Sequence, residues 1–308
     1  MFFVASRSAV LGRSLSAFVA FRCVAASLLA VAILVSVGCG GGERVVFRST
    51  SEFEDVVVTE DRSGVRTLRF GVRGAPQSRF DPSRPDSLLL SYVRATMIGL
   101  AYLEDPRRVL VVGLGGGSIP RALHRWYPEA IIDVVELDPV VVEVAKAWFG
   151  VEEDSRLRLE VADGRSFVEA AGVRGDAPYD LVVLDAFDED SIPKALTTRE
   201  FLDAVETVLA VDGRVLANLW SGGGGEPYRS MLTTYQAVFP QLAIFAVPDR
   251  GNRILVAGRE PAPPSAVLRE RVLALQERVG DLGLLPLLSS GTLWGEEEDF
   301  GGSILVDD

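Results

Sequence analysis

Residues Arg107 to Pro139 read RRVLVVGLGGGSIPRALHRWYPEAIIDVVELDP: an apolar run, a cluster of glycines, a helix-forming stretch, and a second apolar run that ends in Glu136. Gly113, Gly115 and Gly117 have no Cβ, so the backbone there can turn sharply and approach a ligand, while the following helix offers free amides. Glycines of this kind also serve ordinary strand-to-helix turns. Glu136 adds the chemistry: it stands about 20 residues beyond the loop, the spacing of an acid that accepts hydrogen bonds from ribose hydroxyls. Its competing use is to favour the positive end of the next helix. The loop is G-x-G-x-G, with Ser118 where a dinucleotide fingerprint has its last glycine, so a nucleoside suits it better than a nicotinamide dinucleotide.

Asp163, in VADGRSF, follows a third apolar run. Its carboxylate can accept from an adenine amino group or cap the next helix, and the two roles are compatible. VVLDAFDEDSIP then places Asp185, Asp188, Glu189 and Asp190 within six positions. Like charges so close repel, and a cationic ligand relieves the repulsion. Asp185 and Asp188 are the candidates for that task; Glu189 and Asp190 read as an exposed turn.

The elements that must carry these residues follow from hydrophobic patterning. Strands are expected at Val109 to Gly113, Ile131 to Glu136, Leu157 to Val161, Leu181 to Asp185 and Arg214 to Leu219, with helical stretches between them. LAIFAVPD and NRILVAG add two late strands that can form an antiparallel hairpin. The pattern predicts an α/β fold: a Rossmann-like, doubly wound, mostly parallel seven-stranded sheet with both faces covered. Ahead of it, RVVFRS, DVVVTED and VRTLRFGV predict a small N-terminal antiparallel β piece, and DSLLLSYVRATMIGLAYL a helix. The expected division is 1–39 as a leader, 40–85 as the β piece, 86–260 as the nucleoside-binding domain, and 261–308 as a C-terminal helix with an acidic, solvated tail. SGGGGEP reads as a flexible loop, with Trp220 beside it either packing or lining a pocket.

Composition removes other chemistries. With 31 basic against 43 acidic residues and a net charge of -12, the chain offers nucleic acid phosphates no basic footprint. The only histidine, His124, reads as a helix surface residue, and Cys23 and Cys39 both precede the folded part. Histidine or cysteine metal sites and His-dependent nucleophilic triads are therefore excluded, and no metal is expected. Residues 1 to 22 carry Arg7, Arg13 and Arg22 without an acid, and VAASLLAVAILVSVG then runs uncharged to Cys39. This reads as a secretory signal, short for a bilayer span of ~20 residues. SVGCGGG resembles a lipobox, with Ser36 where Leu is usual, which makes Cys39 the expected lipidation site and the cell envelope the expected location; cytoplasmic residence follows if the segment is not a signal.

As a set, these segments resemble the spermidine synthase family, over about Ser51 to Gly258. SEFEDVVV is similar to the family's S-x-Y-Q-x-I segment, VLVVGLGGGSIPR to its glycine loop, VELDPVVVEVAK to its ribose-binding segment, VADGRSFV to its G-D-G segment, and YDLVVLDAFDEDSIPKALTTREFL to the stretch with its D-[SA]-x-D pair. The resemblance implies a class I methyltransferase-like fold and S-adenosylmethionine or its decarboxylated form as co-substrate. It implies that Gly113, Gly115, Gly117, Glu136, Asp163, Gly164 and Asp185 bind the nucleoside, and that Tyr92 and Glu54 line the acceptor site. Asp185 and Asp188 would hold a small amine or polyamine, with Asp188 at the position of the family's proposed base. A homodimer, and a membrane contact through the lipid anchor alone, complete the expectation. Three features depart from the family: Gly116 replaces the loop Asp that binds the aminopropyl amine, Glu54 replaces Gln, and Val93 and Arg94 replace a Gln/His-Glu pair. Arg94 would repel a polyamine, face solvent or bind a substrate carboxylate. Methyl transfer to another acceptor, and an envelope protein that keeps the fold without catalysis, are the competing readings.

Overall fold

The computed structural model describes residues 42–186, 192–221, 223–248, 251–294 and 299–308. The first sheet is an antiparallel meander of β1 (Arg44–Thr50), β2 (Asp55–Glu60), β3 (Arg66–Phe70) and β4 (Pro76–Phe80). Its apolar face buries Val56, Val58, Leu68 and Phe80 against Val141, Val144 and Phe149 of the larger layer. β4 was not expected: Pro76, Gln77, Ser78 and Arg79 carry no β-branched signal, and the strand forms because β3 pairs with it.

The predicted single helix after this sheet is two pieces. α1 (Ser91–Thr96) gives way to a 3-10 turn over Met97–Tyr102. A Cβ on Gly99 would stand 2.1 Å from Leu216, so the tightened turn lies directly on the sheet.

The main sheet then alternates with helices: β5 (Arg108–Val112), α2 (Ser118–Trp126), β6 (Ile131–Glu136), α3 (Pro139–Trp148), β7 (Leu157–Val161), α4 (Gly164–Arg174), β8 (Tyr179–Leu184), α5 (Arg199–Val208), β9 (Leu209–Trp220), α6 (Glu226–Val238), β10 (Gln241–Ala246), β11 (Asn252–Gly258), α7 (Ser265–Val279), α8 (Leu284–Ser290) and β12 (Thr292–Trp294). The strand order is β12-β10-β11-β9-β8-β5-β6-β7, parallel from β9 to β7 and antiparallel beyond β9. The sheet thus has eight strands rather than the seven expected, because three residues of β12 add to β10; so short a run has no periodicity to read. Val109, Leu110 and Val111 are fully buried, with alternate side chains feeding the core on each face.

Residues after Pro261 belong to the same core. Leu268, Val272 and Leu275 of α7 and Leu284 and Leu287 of α8 pack on the face that holds Val109 and Val111. Asp299 to Asp308 is largely exposed yet docked on the domain. Phe300 packs against the other face, the Ser303 and Leu305 amides donate to Ser230 and Thr234, and Asp307 forms a bidentate pair with Arg165 at 2.6 and 2.7 Å. The acidic run Glu296 to Glu298 lies outside the described residues. Among the described residues no helix is long and apolar enough to cross a membrane.

Candidate active site

In an open sheet of this kind the crevice opens where strand order reverses, here between β5 and β8 at the C-terminal ends of the strands. A cavity of about 990 Å³ lies there. Its floor is the tips of β5, β6, β8 and β9; its roof is the β1–β2 turn and the β3–β4 edge; α1 closes one wall.

The glycine loop makes the floor possible. Gly113 takes φ 95° and its missing side chain leaves room for the Asp185 carbonyl, which a Cβ would meet at 2.4 Å. Gly117 takes φ 70° at the N-cap of α2, where a Cβ would collide with Val151. Gly115 also lines the cavity with positive φ, and Gly164 lies tight on Val112.

Glu136 ends β6 with its carboxylate turned to the loop: Oε2 accepts from the Leu114 amide at 2.8 Å and Oε1 from the Asp138 amide at 3.1 Å. Burial raises its pKa, and the Leu114, Asp138 and Gly115 amides oppose that rise. Each oxygen keeps acceptor capacity toward the cavity, which is what two vicinal hydroxyls require. Asp163 caps α4, accepting from the Ser166 amide at 2.8 Å, and stands at the cavity edge.

Asp185 follows β8 at the centre of the floor. Asn218 of β9 donates to it at 2.9 Å, and Asn252 of β11 donates to the Asn218 oxygen at 2.9 Å. That second bond fixes the amide so that its NH2 faces the acid. Tyr92 of α1 is the second partner of Asp185, and its phenol also lies 3.1 Å from the Gln77 carbonyl. Burial pushes Asp185 up from 3.8 to about 7, against the hydrogen bonds from Asn218 and Tyr92. Burial, with the charge of Asp185 beside it, raises Tyr92 well above the ordinary phenol value. A phenol has one proton, so Tyr92 can donate to only one of these two acceptors at a time.

The roof is fastened to the floor by side chains the sequence did not single out. Ser51 donates to Asp138, the N-cap of α3, and Ser78 accepts from the Gly116 amide at 2.8 Å. Gly116 has no space for a side chain: a Cβ would stand 2.6 Å from Ser78 and 2.9 Å from Phe149. Glu54 lines the roof beside Glu52. Arg94 does not enter the cavity; it donates to the Leu88 and Leu89 carbonyls. His124 pairs with Asp154 away from the crevice, whereas Trp220 lines it and lies on Gly251. Asp188, Glu189, Asp190 and Cys39 lie outside the described residues.

Six carboxylates line the cavity, from Glu52, Glu54, Glu136, Asp138, Asp163 and Asp185, and among the described lining residues there is no Lys, Arg or His. No trio of acids, His or Cys among the described residues gathers as a metal-ligand set.

A Spermine/spermidine synthase domain matches residues 94–221. The polyamine aminopropyltransferase of Vibrio vulnificus is 33% identical over 239 residues, which cover 76% of this chain and 79% of that protein. The chain belongs to the spermine/spermidine synthase family. Among solved structures, a probable spermidine synthase from Corynebacterium glutamicum has the same fold, with TM-score 0.68 and 21% identity over 85% of this chain and 96% of that one. Human methyltransferase-like protein 13, solved with SAH, is 30% identical with TM-score 0.59 over 62% of this chain and 93% of that one. The proteins similar to this chain thus include an aminopropyltransferase and a methyltransferase-like protein.

Proposed function

We propose that this protein transfers an aminopropyl group from a decarboxylated S-adenosylmethionine-type nucleoside to a small amine or polyamine. The observation that carries the reading is the crevice lined by six carboxylates and, among the described residues, no cation. S-adenosylmethionine carries a carboxylate that such a wall repels; its decarboxylated form lacks it and has one more net positive charge. Glu136 takes the ribose hydroxyls, Gly113 to Gly117 lie under the nucleoside, and Asp163 with Gly164 meets the adenine edge.

In the reaction, the acceptor nitrogen attacks the carbon next to the sulfonium, the C–S bond breaks, and its electron pair stays on sulfur in the departing thioether nucleoside. The secondary ammonium so formed keeps its charge near pH 7; what the attack requires is that the acceptor's own ammonium first give up a proton. Asp185 is the described group suited to take it, because a carboxyl held at about 7 is a far better base than one at 3.8. Asn218 and Tyr92 hold that carboxylate in place, and orientation of a charged nucleophile provides the remainder of the acceleration. Asp188 is proposed to hold the distal amine of the acceptor.

Methyl transfer is the second reading, favoured by one feature: Gly116, filled in by Ser78 and Phe149, offers no acid to the donor's amino tail. Calorimetry with S-adenosylmethionine, its decarboxylated form and methylthioadenosine separates the two. Preference for the decarboxylated form supports aminopropyl transfer; preference for S-adenosylmethionine supports methylation; silence toward all three leaves a non-catalytic protein.

We also propose that Cys39 carries a lipid that tethers the folded part to the cell envelope. The support is the uncharged run and the SVGCGGG segment. Lipid labelling lost in Cys39→Ser supports it, and labelling that persists overturns it.

A further inference from the structure

The segment Ser303 to Asp308 crosses several elements beside the crevice. Ser230 and Thr234 of α6 accept from its Ser303 and Leu305 amides; its Leu305 carbonyl accepts from the Arg199 amide at 2.8 Å, and its Asp307 amide donates to Glu200 at 3.0 Å, both at the start of α5. The Asp307 carboxylate then takes both Nη groups of Arg165, the second residue of α4. Asp308 pairs with Lys194 at 2.6 Å, where both side chains are mostly exposed.

Arg165 carries this docking to the crevice. It follows Gly164, which lines the cavity, and its Nη1 also donates to the Ala195 carbonyl at 3.4 Å and the Thr198 hydroxyl at 3.3 Å. Ala195 lines the same cavity, with Pro193 and Leu196 on either side. Main-chain bonds close this turn on itself, from the Leu196 amide to Pro193 and from the Thr197 amide to Lys194, so among the described residues its polar tie to α4 is Arg165. Glu169, one turn along α4, accepts from Nε at 2.7 Å and holds the side chain only to its own helix. Asp307 is fixed from the α5 side, and its bidentate grip turns the Nη groups toward residues 195 and 198. The guanidinium is one-fifth exposed, and its hydrogen bonds to Asp307 and Glu169 raise its pKa, so it stays charged.

We propose that Asp307 is a positioning residue of the crevice: through Arg165 it locks Pro193 to Leu196 against the first turn of α4 and so sets the gap into which the nucleoside fits. The inference rests on the nucleoside reading above. By linkage, a strap that shapes the wall for a ligand must itself be tightened by that ligand.

Hydrogen exchange on the full chain tests both halves. In the ligand-free protein, Asp307→Asn is expected to speed exchange over residues 194–199 roughly fivefold, the upper end for a partly exposed ion pair. In the unsubstituted protein, methylthioadenosine is expected to slow exchange over 303–308 as well as 194–199. Calorimetry should show methylthioadenosine bound several-fold more weakly by Asp307→Asn, while Asp308→Asn, which loses only an exposed pair, binds it as the unsubstituted protein does. Unchanged exchange over 194–199 in Asp307→Asn overturns the strap. Methylthioadenosine that binds without slowing 303–308, or binds Asp307→Asn with unchanged affinity, overturns its link to the crevice. Failure of methylthioadenosine to bind the unsubstituted protein contradicts the nucleoside reading and this proposal with it, and is told apart because the ligand-free comparison needs no ligand.

Discussion

The floor and the roof of the crevice are held in different ways. On the floor, functional carboxylates are fixed by the scaffold that carries them: Glu136 by the amides of its own loop and helix, Asp163 by the first turn of α4, Asp185 by the neighbouring strands through Asn218 and Asn252. The roof is a separate antiparallel sheet, and near the crevice it meets the floor through a few polar joints, Ser51 to Asp138, Ser78 to Gly116 and Gln77 to Tyr92, over the apolar patch around Phe80 and Phe149. Under the proposed function the floor supplies the fixed charges and the roof the shape of the space above them. Floor substitutions should therefore cost catalysis or nucleoside affinity, and roof substitutions should change selectivity and stability.

Asp185→Asn gives the largest effect. It removes the proton acceptor and is expected to lower kcat/KM by about 10²–10⁴ while leaving methylthioadenosine affinity within a few-fold, measured by steady-state kinetics and calorimetry. If both fall together, Asp185 belongs to the binding surface and the division of roles fails.

The same group makes the free protein's stability pH-dependent. Its folded pKa of about 7 lies above the unfolded value of 3.8, so the folded state binds the extra proton. Stability is then greatest below about pH 4 with respect to this group and falls as pH rises toward 7, by the order of 2–4 kcal/mol given that the side chain borders an open crevice. Urea unfolding from pH 4 to pH 8 should show the fall, and Asp185→Asn should remove most of it.

Glu136→Gln keeps the shape but replaces one acceptor oxygen by a donor facing amides and ribose. Nucleoside affinity should drop roughly 10- to 100-fold, read by calorimetry, with little change in the chemical step at saturation.

On the roof side, Gly116→Asp tests whether the closed loop excludes the family's acid. The crowding against Ser78 and Phe149 should cost about 1–3 kcal/mol in urea unfolding, and Ser78→Gly in the same chain should recover part of it. Ser51→Ala is the smallest change, about 1 kcal/mol of stability or less, because Asp138 still caps α3 through the Val140 amide.

The same contrast separates what the sequence discloses from what it conceals. Val109 to Val112, the glycines, Glu136 and Asp163 lie within one β-α-β-α-β run, so local pattern and spacing expose them. Asn218 and Asn252 stand 33 and 67 positions after Asp185, and reach it only because β9 lies beside β8 and β11 beside β9. Ser78 is an unremarkable polar residue in a strand without strand composition, and its role appears only when the roof folds over Gly116. Arg94 is two positions after Tyr92, yet its side chain turns back to the Leu88 and Leu89 carbonyls, a direction that helix periodicity does not fix. The tail shows the same limit: Asp307 reads as a solvated acid until Arg165 is found 142 positions earlier, across the surface.

The central claim is that an adenosine derivative lies across the strand tips with its ribose held by Glu136. Diffraction from crystals soaked in methylthioadenosine tests it most directly. The account predicts both ribose hydroxyls within hydrogen-bond distance of the Glu136 carboxylate and the sulfur facing Asp185; a ribose seated elsewhere, or a crevice that admits no nucleoside, contradicts it.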